Sequence, residues 1–197
     1  WVEVLSSSPR IGAQRRITLD GCGEIDAIGL DDYLLRRGYD GLGRALAMSP
    51  AAVAEEVSKA GLLGRGGAYF PAGAKWDSVR KGGGARYMVV NAEEGEPGVF
   101  KDRHIMEGLP HRLIEGMAIA AYASGIDRAF VYVNAEADLS AERVEAATSQ
   151  AYENGLLGDN ALGSDFSLDV SLLRGAGGYV CGEETVLFNT MEGQRRE

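Results

Sequence analysis

Thiols are scarce: Cys22 and Cys181 are the only cysteines in 197 residues. Two thiolates cannot build a four-cysteine iron–sulfur cluster or a Cys-rich zinc site from this chain alone, and they make no disulfide framework. A reducing, cytoplasmic compartment is therefore expected. Long apolar runs are missing too. The longest, Met117 to Ala123, is far too short to cross a bilayer, and no charged-then-apolar signal segment opens the chain. Positive charge is in deficit, with 20 Lys and Arg against 29 Asp and Glu, a net charge of −9. Binding along nucleic acid needs a positive field that releases phosphate counterions, so nucleic acid is not expected as the main ligand. The chain begins at Trp1 and ends in Gly193-Gln-Arg-Arg-Glu197, straight after an apolar helix-like run. Both ends read as cut, so a piece of a longer protein is expected.

Glycine is abundant instead. Its 28 residues, about 14% of the chain, are roughly double the usual share. No collagen-like period accounts for them. They cluster at bends, where backbone without Cβ can approach a ligand closely. Apolar residues at 45% and charged residues at 25% are ordinary for a globular domain.

Residues 1–20, with Ser6-Ser7-Ser8-Pro9, read as a lead-in containing a short strand at Arg16–Leu19. Residues 31–47 read as helical, broken near Gly38 and Gly41. Ser49-Pro50 is a helix start, an N-cap serine before a proline at the first helical position, and Gly61 ends that helix. Tyr87–Asn91 and Ala129–Val133 are short apolar runs of buried-strand type. Pro110 opens a helix to about Ala123, with Leu113, Met117, Ala120 and Ala121 on one apolar face and Gly125 as its stop. Another helix spans Ser140–Asn154 and stops at Gly155. Phe166, Leu168, Val170 and Leu172 alternate with polar residues as in a half-buried strand, and Glu183–Met191 is a last helix. Alternation of strands and helices from residue 87 onward predicts an α/β layered, Rossmann-like domain with a mostly parallel sheet, preceded by a small helical segment. The expected division is 1–60 and 61–197.

Three loops carry the chemistry. The loop Gly64-Arg65-Gly66-Gly67 fits neither G-x-G-x-x-G, because Tyr69 stands where the last glycine belongs, nor the Walker P-loop. Successive N–H groups without Cβ still form a concave anion nest, to which Arg65 and Lys75 add charge; a tight helix-to-strand connection explains the same residues. Glu93-Glu94-Gly95-Glu96 follows an apolar strand, where carboxylates can accept from ribose hydroxyls or ring N–H groups, or form a solvated acidic turn. Gly182-Glu183-Glu184-Thr185 places two carboxylates at a helix N-terminus, which suits a ligand or simple capping. His104 and His111 read as structural, and Cys181 as a small buried hydrophobe. Together the loops suit an aromatic, phosphate-bearing cofactor.

The run Gly61-Leu-Leu-Gly-Arg-Gly-Gly-Ala-Tyr-Phe-Pro-Ala-Gly-Ala-Lys-Trp76 resembles the flavoprotein subunit of NADH dehydrogenase, the NADH-oxidising entry of respiratory complex I. Diaphorase subunits of NAD-linked hydrogenases and formate dehydrogenases share it. Asn91-Ala-Glu-Glu-Gly-Glu-Pro-Gly98 with Lys101-Asp102-Arg103, and Gly175-Ala-Gly-Gly-Tyr-Val-Cys-Gly-Glu-Glu-Thr185, resemble the second and third signatures. The resemblance spans roughly residues 15–197. It implies FMN in this domain with NADH stacked over the flavin, which accepts the hydride itself. By motif position, Gly64, Arg65, Gly66, Gly67 and Lys75 would hold the FMN phosphate side. Asn91, Glu93 and Glu94 would reach the flavin and ribityl atoms, and Gly182 and Glu183 would flank the ring. Phe70, Lys75, Glu96, Tyr179 and Glu184 would face NADH, where the acids disfavour the extra phosphate of NADPH. No metal site is implied within this chain.

The resemblance also implies what lies elsewhere. A ubiquitin-like module and a Cys-rich 4Fe-4S domain follow in the family. Electrons would leave singly through iron–sulfur partner subunits, toward quinone or another acceptor, with no direct membrane insertion and a peripheral place on the inner face. Three departures stand out: Tyr69 where the family has Gly, Glu93 where it has Asp, and Asn134-Ala135-Glu136-Ala137 in place of an Arg-Gly-Glu-Tyr-like strand end. They motivate an alternative, a paralogue that keeps the fold as a docking subunit without redox chemistry.

Overall fold

The computed structural model describes residues 13–175 and 177–195; the serine-rich lead-in lies outside them. Two short helices open the described chain, α1 (Leu30–Leu35) and α2 (Asp40–Leu46), followed by α3 (Pro50–Lys59) and α4 (Ala72–Lys81). Then come β1 (Met88–Ala92), α5 (Arg103–Gly108), α6 (Pro110–Ser124), β2 (Arg128–Val133), α7 (Asp138–Glu153), β3 (Asp169–Arg174) and α8 (Glu184–Met191). Single 3-10 turns cover Ala161–Gly163 and Tyr179–Gly182.

The sheet has the order β1-β2-β3 and is parallel throughout, with Met88 opposite Ala129 and Arg128 opposite Asp169. Parallel pairing requires crossovers, supplied here by α5–α6 and by α7. The central strand shows the consequence: Ala129, Val131, Tyr132 and Val133 are all buried, as expected where both faces are covered. Ile114, Met117, Ala118 and Ala121 of α6 join Val144 and Ala147 of α7 in the same core.

The helix ends follow local chemistry. Ser49 Oγ accepts from Ala52 N at 3.3 Å ahead of Pro50. Gly61, Gly125 and Gly155 end α3, α6 and α7 at φ +67°, +67° and +66°. At Gly125 the next amide, Ile126 N, reaches back to Ala121 O at 2.9 Å, the six-to-one bond of a glycine-terminated helix.

Several expectations need correction. Arg16–Leu19 is a run of bends and turns, with no strand. The carbonyls of Ile17 and Thr18 accept from Arg112 Nη1 instead of a neighbouring strand. The break in 31–47 falls at residues 36–39, and Gly41 lies inside α2. Gly38 is required there because a Cβ would meet the Tyr33 ring at 2.1 Å. Helices α4 and α5 were not anticipated, and Glu183 caps α8 from outside it.

The N-terminal helices share the main core through Leu30, Tyr33, Tyr39 and Leu42. Polar ties reinforce this. Tyr33 Oη donates to Glu115 at 2.6 Å, and Tyr39 Oη lies 3.1 Å from Nδ1 of the buried His111. His111 Nε2 lies 3.2 Å from Gln150 Oε1. Burial lowers the His111 pKa, opposed by Gln150. A neutral ring that accepts from Tyr39 and donates to Gln150 satisfies all three groups.

Candidate functional site

The first glycine loop closes on itself. Gly64 N donates to Phe70 O at 2.8 Å, and Ala72 N to Leu62 O at 2.9 Å. Between those ties Arg65, Gly66 and Gly67 are exposed. Among the described residues no protein acceptor takes their amides. A Cβ on Gly66 or Gly67 would meet nothing within 4 Å, so open space surrounds these bare amides. The amides are thus free to meet a ligand, as an anion nest requires. Tyr69 sits in this loop at φ +53°, a left-handed conformation that costs a side-chain-bearing residue roughly 1–2 kcal/mol.

The loop hands directly into α4, whose first turn carries Lys75. Lys75, Asn91 at the end of β1 and Glu184 at the start of α8 line one cavity of about 890 Å³, walled by Trp76, Leu113 and Phe188. One residue from each signature thus meets on a single, mostly apolar space. Phe70 is exposed and lines neither this cavity nor the hollow described below.

The second and third loops touch directly at the carboxyl ends of β1 and β3. Asn91 Nδ2 donates to Gly182 O at 2.8 Å. Cβ atoms on Gly95, Gly175 and Gly182 would meet Gly178 O at 3.2 Å, Glu93 Oε2 at 2.8 Å and Glu93 O at 3.3 Å. Glycine is what permits this approach. Glu96 and Tyr179 share a hollow of about 620 Å³ with Phe100, Arg103 and Glu136.

The carboxylates differ in their engagements. Glu94, its side chain only 1% exposed, receives Asp102 N at 2.7 Å, Arg103 N at 3.2 Å and Arg103 Nε at 3.0 Å. Burial alone would raise its pKa; these three donors outweigh burial and hold it below the ordinary carboxylate value. Glu183 Oε2 receives Thr185 N and Val186 N, both at 3.0 Å, and these amides lower its pKa. Both side chains cap helices. Glu93 is buried, with Oε1 on the Asn134 amide at 2.5 Å and Oε2 without a hydrogen-bond partner. Burial raises its pKa, Glu136 and Glu96 add to the rise, and the Asn134 amide opposes it. Cys181 is buried with Sγ 3.1 Å from Gly177 O.

Sequence reasoning missed Phe100, Glu136 and the contact of Asn134 with Glu93. A strand-following position at the same sheet end was the available signal.

A glycine loop with open amides leads into the lysine-bearing helix α4, and glycine-tight carboxylate loops meet at the carboxyl ends of parallel strands β1 and β3 in this α/β module. The Nuo51 FMN-binding domain model matches residues 57–197, and the chain belongs to that family. The HndC component of the NADP-reducing hydrogenase of Solidesulfovibrio fructosivorans is 50% identical over 186 residues, covering 93% of this chain and 38% of the relative. An NADH-quinone oxidoreductase subunit of Aquifex aeolicus is 46% identical over 166 residues, covering 84% and 39%. A crystal structure of an NAD+-reducing [NiFe]-hydrogenase in the H2-reduced state superposes with a TM-score of 0.74 at 31% identity, over 93% of this chain and 29% of that one. The chain therefore spans well under half the length of these relatives.

Proposed function

We propose that this chain is the cofactor-cradling part of an FMN-dependent, NADH-oxidising flavoprotein subunit. The observation that carries the reading is the cavity shared by Lys75, Asn91 and Glu184, one residue from each signature. The chain's features fit FMN. The open amides of Arg65, Gly66 and Gly67, with Lys75, suit a phosphate, while Gly64, whose own amide is tied to Phe70 O, shapes the loop. The unpartnered Glu93 Oε2 and the rim residue Asn91 offer polar contacts to a ring edge or ribityl chain.

FMN, when bound, supplies the two-electron acceptor for a hydride. The protein's part is placement. Arg65 and Lys75 would neutralise the phosphate, and Gly182, by carrying no side chain, lets the third loop pack on Glu93 at the border of the site. Glu94 and Glu183 act by holding the bordering helices in place. Phe70, Glu96, Tyr179 and Glu184, with Lys75, bind and orient NADH beside the ring. The hollow around Glu96 and Tyr179 also contains Glu94 and Glu136, and the one cation among its described residues, Arg103, is already paired with Glu94. A second phosphate on the ribose meets net negative charge there, which favours NADH over NADPH.

In the whole subunit, electrons leave singly through iron–sulfur centres, including a 4Fe-4S cluster outside this chain, to iron–sulfur partner subunits and then to quinone or another acceptor. A hydrogenase or formate dehydrogenase setting uses the same site. The extent 61–197 is the nucleotide-binding unit, placed on the cytoplasmic side by its partners. Among the described residues no helix is long and apolar enough to cross a membrane. The strained Tyr69 favours a second reading, a docking paralogue without chemistry. The visible spectrum and NADH–ferricyanide activity of the full-length subunit separate the two: a yellow, active protein is expected, and a colourless, inactive one establishes the docking reading.

A further inference from the structure

The two faces of the sheet are covered unequally. Strand side chains alternate between the faces, and the register sets Met88, Val90 and Ala92 of β1 against Ala129, Val131 and Val133 of β2. These six share one core with α6 and α7. The connections from β1 to β2 and from β2 to β3 therefore both cross this face, and both step in the same direction along the sheet. Helix α8 lies on the other face. Asn91, on the opposite pleat from Val90, donates to Gly182 O just ahead of α8, and Leu187 and Phe188 of α8 line the cavity of about 890 Å³ together with Val89 and Asn91. That cavity runs along a free edge. Among the described residues β1 pairs with β2 alone. Met88–Ala92 has no charge and no proline, the devices that usually blunt an edge strand, yet Met88, Val89 and Val90 are only half-buried.

We propose that in the full-length subunit the chain following α8 returns as a fourth strand, parallel to β1 on its free edge, and so completes the ligand crevice at Asn91. The basis is handedness. A crossover between parallel strands of one sheet is right-handed. With helices on the α6 and α7 face, such crossovers step from β1 to β2 to β3; a crossover helix on the other face steps the opposite way. Helix α8 follows β3 on that other face, and the open position in the backward direction is the β1 edge, which α8 already flanks. An extended segment is the occupant because the floor of the groove is unpaired strand backbone, which another strand satisfies and a helix does not. Its side chains would alternate between Leu113 and Met117 of α6 and Leu187 and Phe188 of α8. The length for it exists in relatives, since this chain covers only 38% of HndC. With that strand in place, the strand order reverses beside β1. In open α/β sheets ligands bind at the carboxyl ends of strands at such a reversal, and Lys75, Asn91 and Glu184 line the cavity there. The added strand stands whichever ligand the crevice takes.

The test uses the full-length subunit in its complex. Tyr87, at the start of β1, and Phe188 of α8 are exposed aromatic residues on the groove, so each is replaced singly by the photo-crosslinking residue benzoylphenylalanine, and captured peptides are read by mass spectrometry. Both probes are expected to capture one segment that follows α8 in the same polypeptide, and the Tyr87 probe to reach its N-terminal end, as parallel pairing requires. Capture of a partner subunit, of a second copy distinguished by isotope labelling, of the segment's C-terminal end by the Tyr87 probe, or of nothing overturns the proposal. Hydrogen exchange of the unsubstituted subunit is the second measurement. Amides 88–92 are expected to exchange within about tenfold of amides 129–133 in the central strand; alternate β1 amides about a hundredfold faster mark a free edge and overturn it. Flavin content is read on the same preparations. A colourless protein that still gives the crosslinks refutes the cofactor reading and leaves the fourth strand in place.

Discussion

Tyr69 and Glu94 show how single residues bear on this site. Tyr69 has a left-handed backbone, so the strain belongs to its Cβ and not to its ring. Tyr69→Ala keeps the Cβ and Tyr69→Gly removes it. The glycine variant is expected to be more stable than the alanine variant by about 1 kcal/mol in urea denaturation, despite its larger unfolded-state entropy. Glu94 makes a pH prediction. Its folded pKa is depressed, so its stabilisation is present above the unfolded value near 4.3 and is lost as pH falls through the lower folded value. Glu94→Gln is expected to cost about 2 kcal/mol at pH 7 and much less near pH 3, checked by urea titrations at both pH values. Equal losses at the two pH values would show that charge is not what Glu94 contributes.

At the scale of elements, the glycines divide into those that pack and those that leave room. Gly73 packs α4 on α3: a Cβ there would lie 2.2 Å from Ser58 Oγ and 2.6 Å from Ala54 O. Gly73→Ala forces the helices apart and is expected to cost about 1–3 kcal/mol. Because Lys75 rides on the same helix, flavin retention falls with it. Gly66 is the converse case, with nothing near its missing Cβ. Gly66→Val is expected to unfold within about 0.5 kcal/mol of wild type and still to lose FMN, since the side chain stands where phosphate oxygens approach the amides. Circular dichroism and flavin content of the purified variants check both halves. A Gly66→Val protein with full FMN would remove the first loop from the cofactor site.

For the whole molecule, the arrangement separates the cavity at Lys75, Asn91 and Glu184, proposed to take the cofactor, from an acidic hollow at Glu96 and Tyr179. Glu184 lies on the boundary between the two assigned roles, since it lines the first and is assigned to NADH. In the assembled enzyme, Glu184→Ala is expected to raise KM for NADH about tenfold, as for one lost charge-assisted hydrogen bond. Flavin content and kcat should stay within about twofold. Parallel losses of flavin and of NADH use would place Glu184 at the cofactor instead.

Much of this protein was determined by sequence alone, and for local reasons. The Ser49-Pro50 start and the glycine stops at 61, 125 and 155 work through the backbone of their own few residues, and apolar runs such as Ala129–Val133 mark buried strands wherever the chain places them. The motif glycines also identified the family without coordinates. Helix α4 gives little local signal because Ala72–Lys81 is polar overall and no side chain caps its start, and it is held by packing on α3 through Gly73. Only the tertiary structure decided the partners of each acid. Glu94 and Glu183 look equivalent to Glu93 in composition, yet both cap helices, while Glu93 is carried against Asn134 from the neighbouring strand. That difference arises from parallel pairing, which brings together strand ends 41 residues apart and sets each carboxyl's partners through contacts that no local pattern encodes.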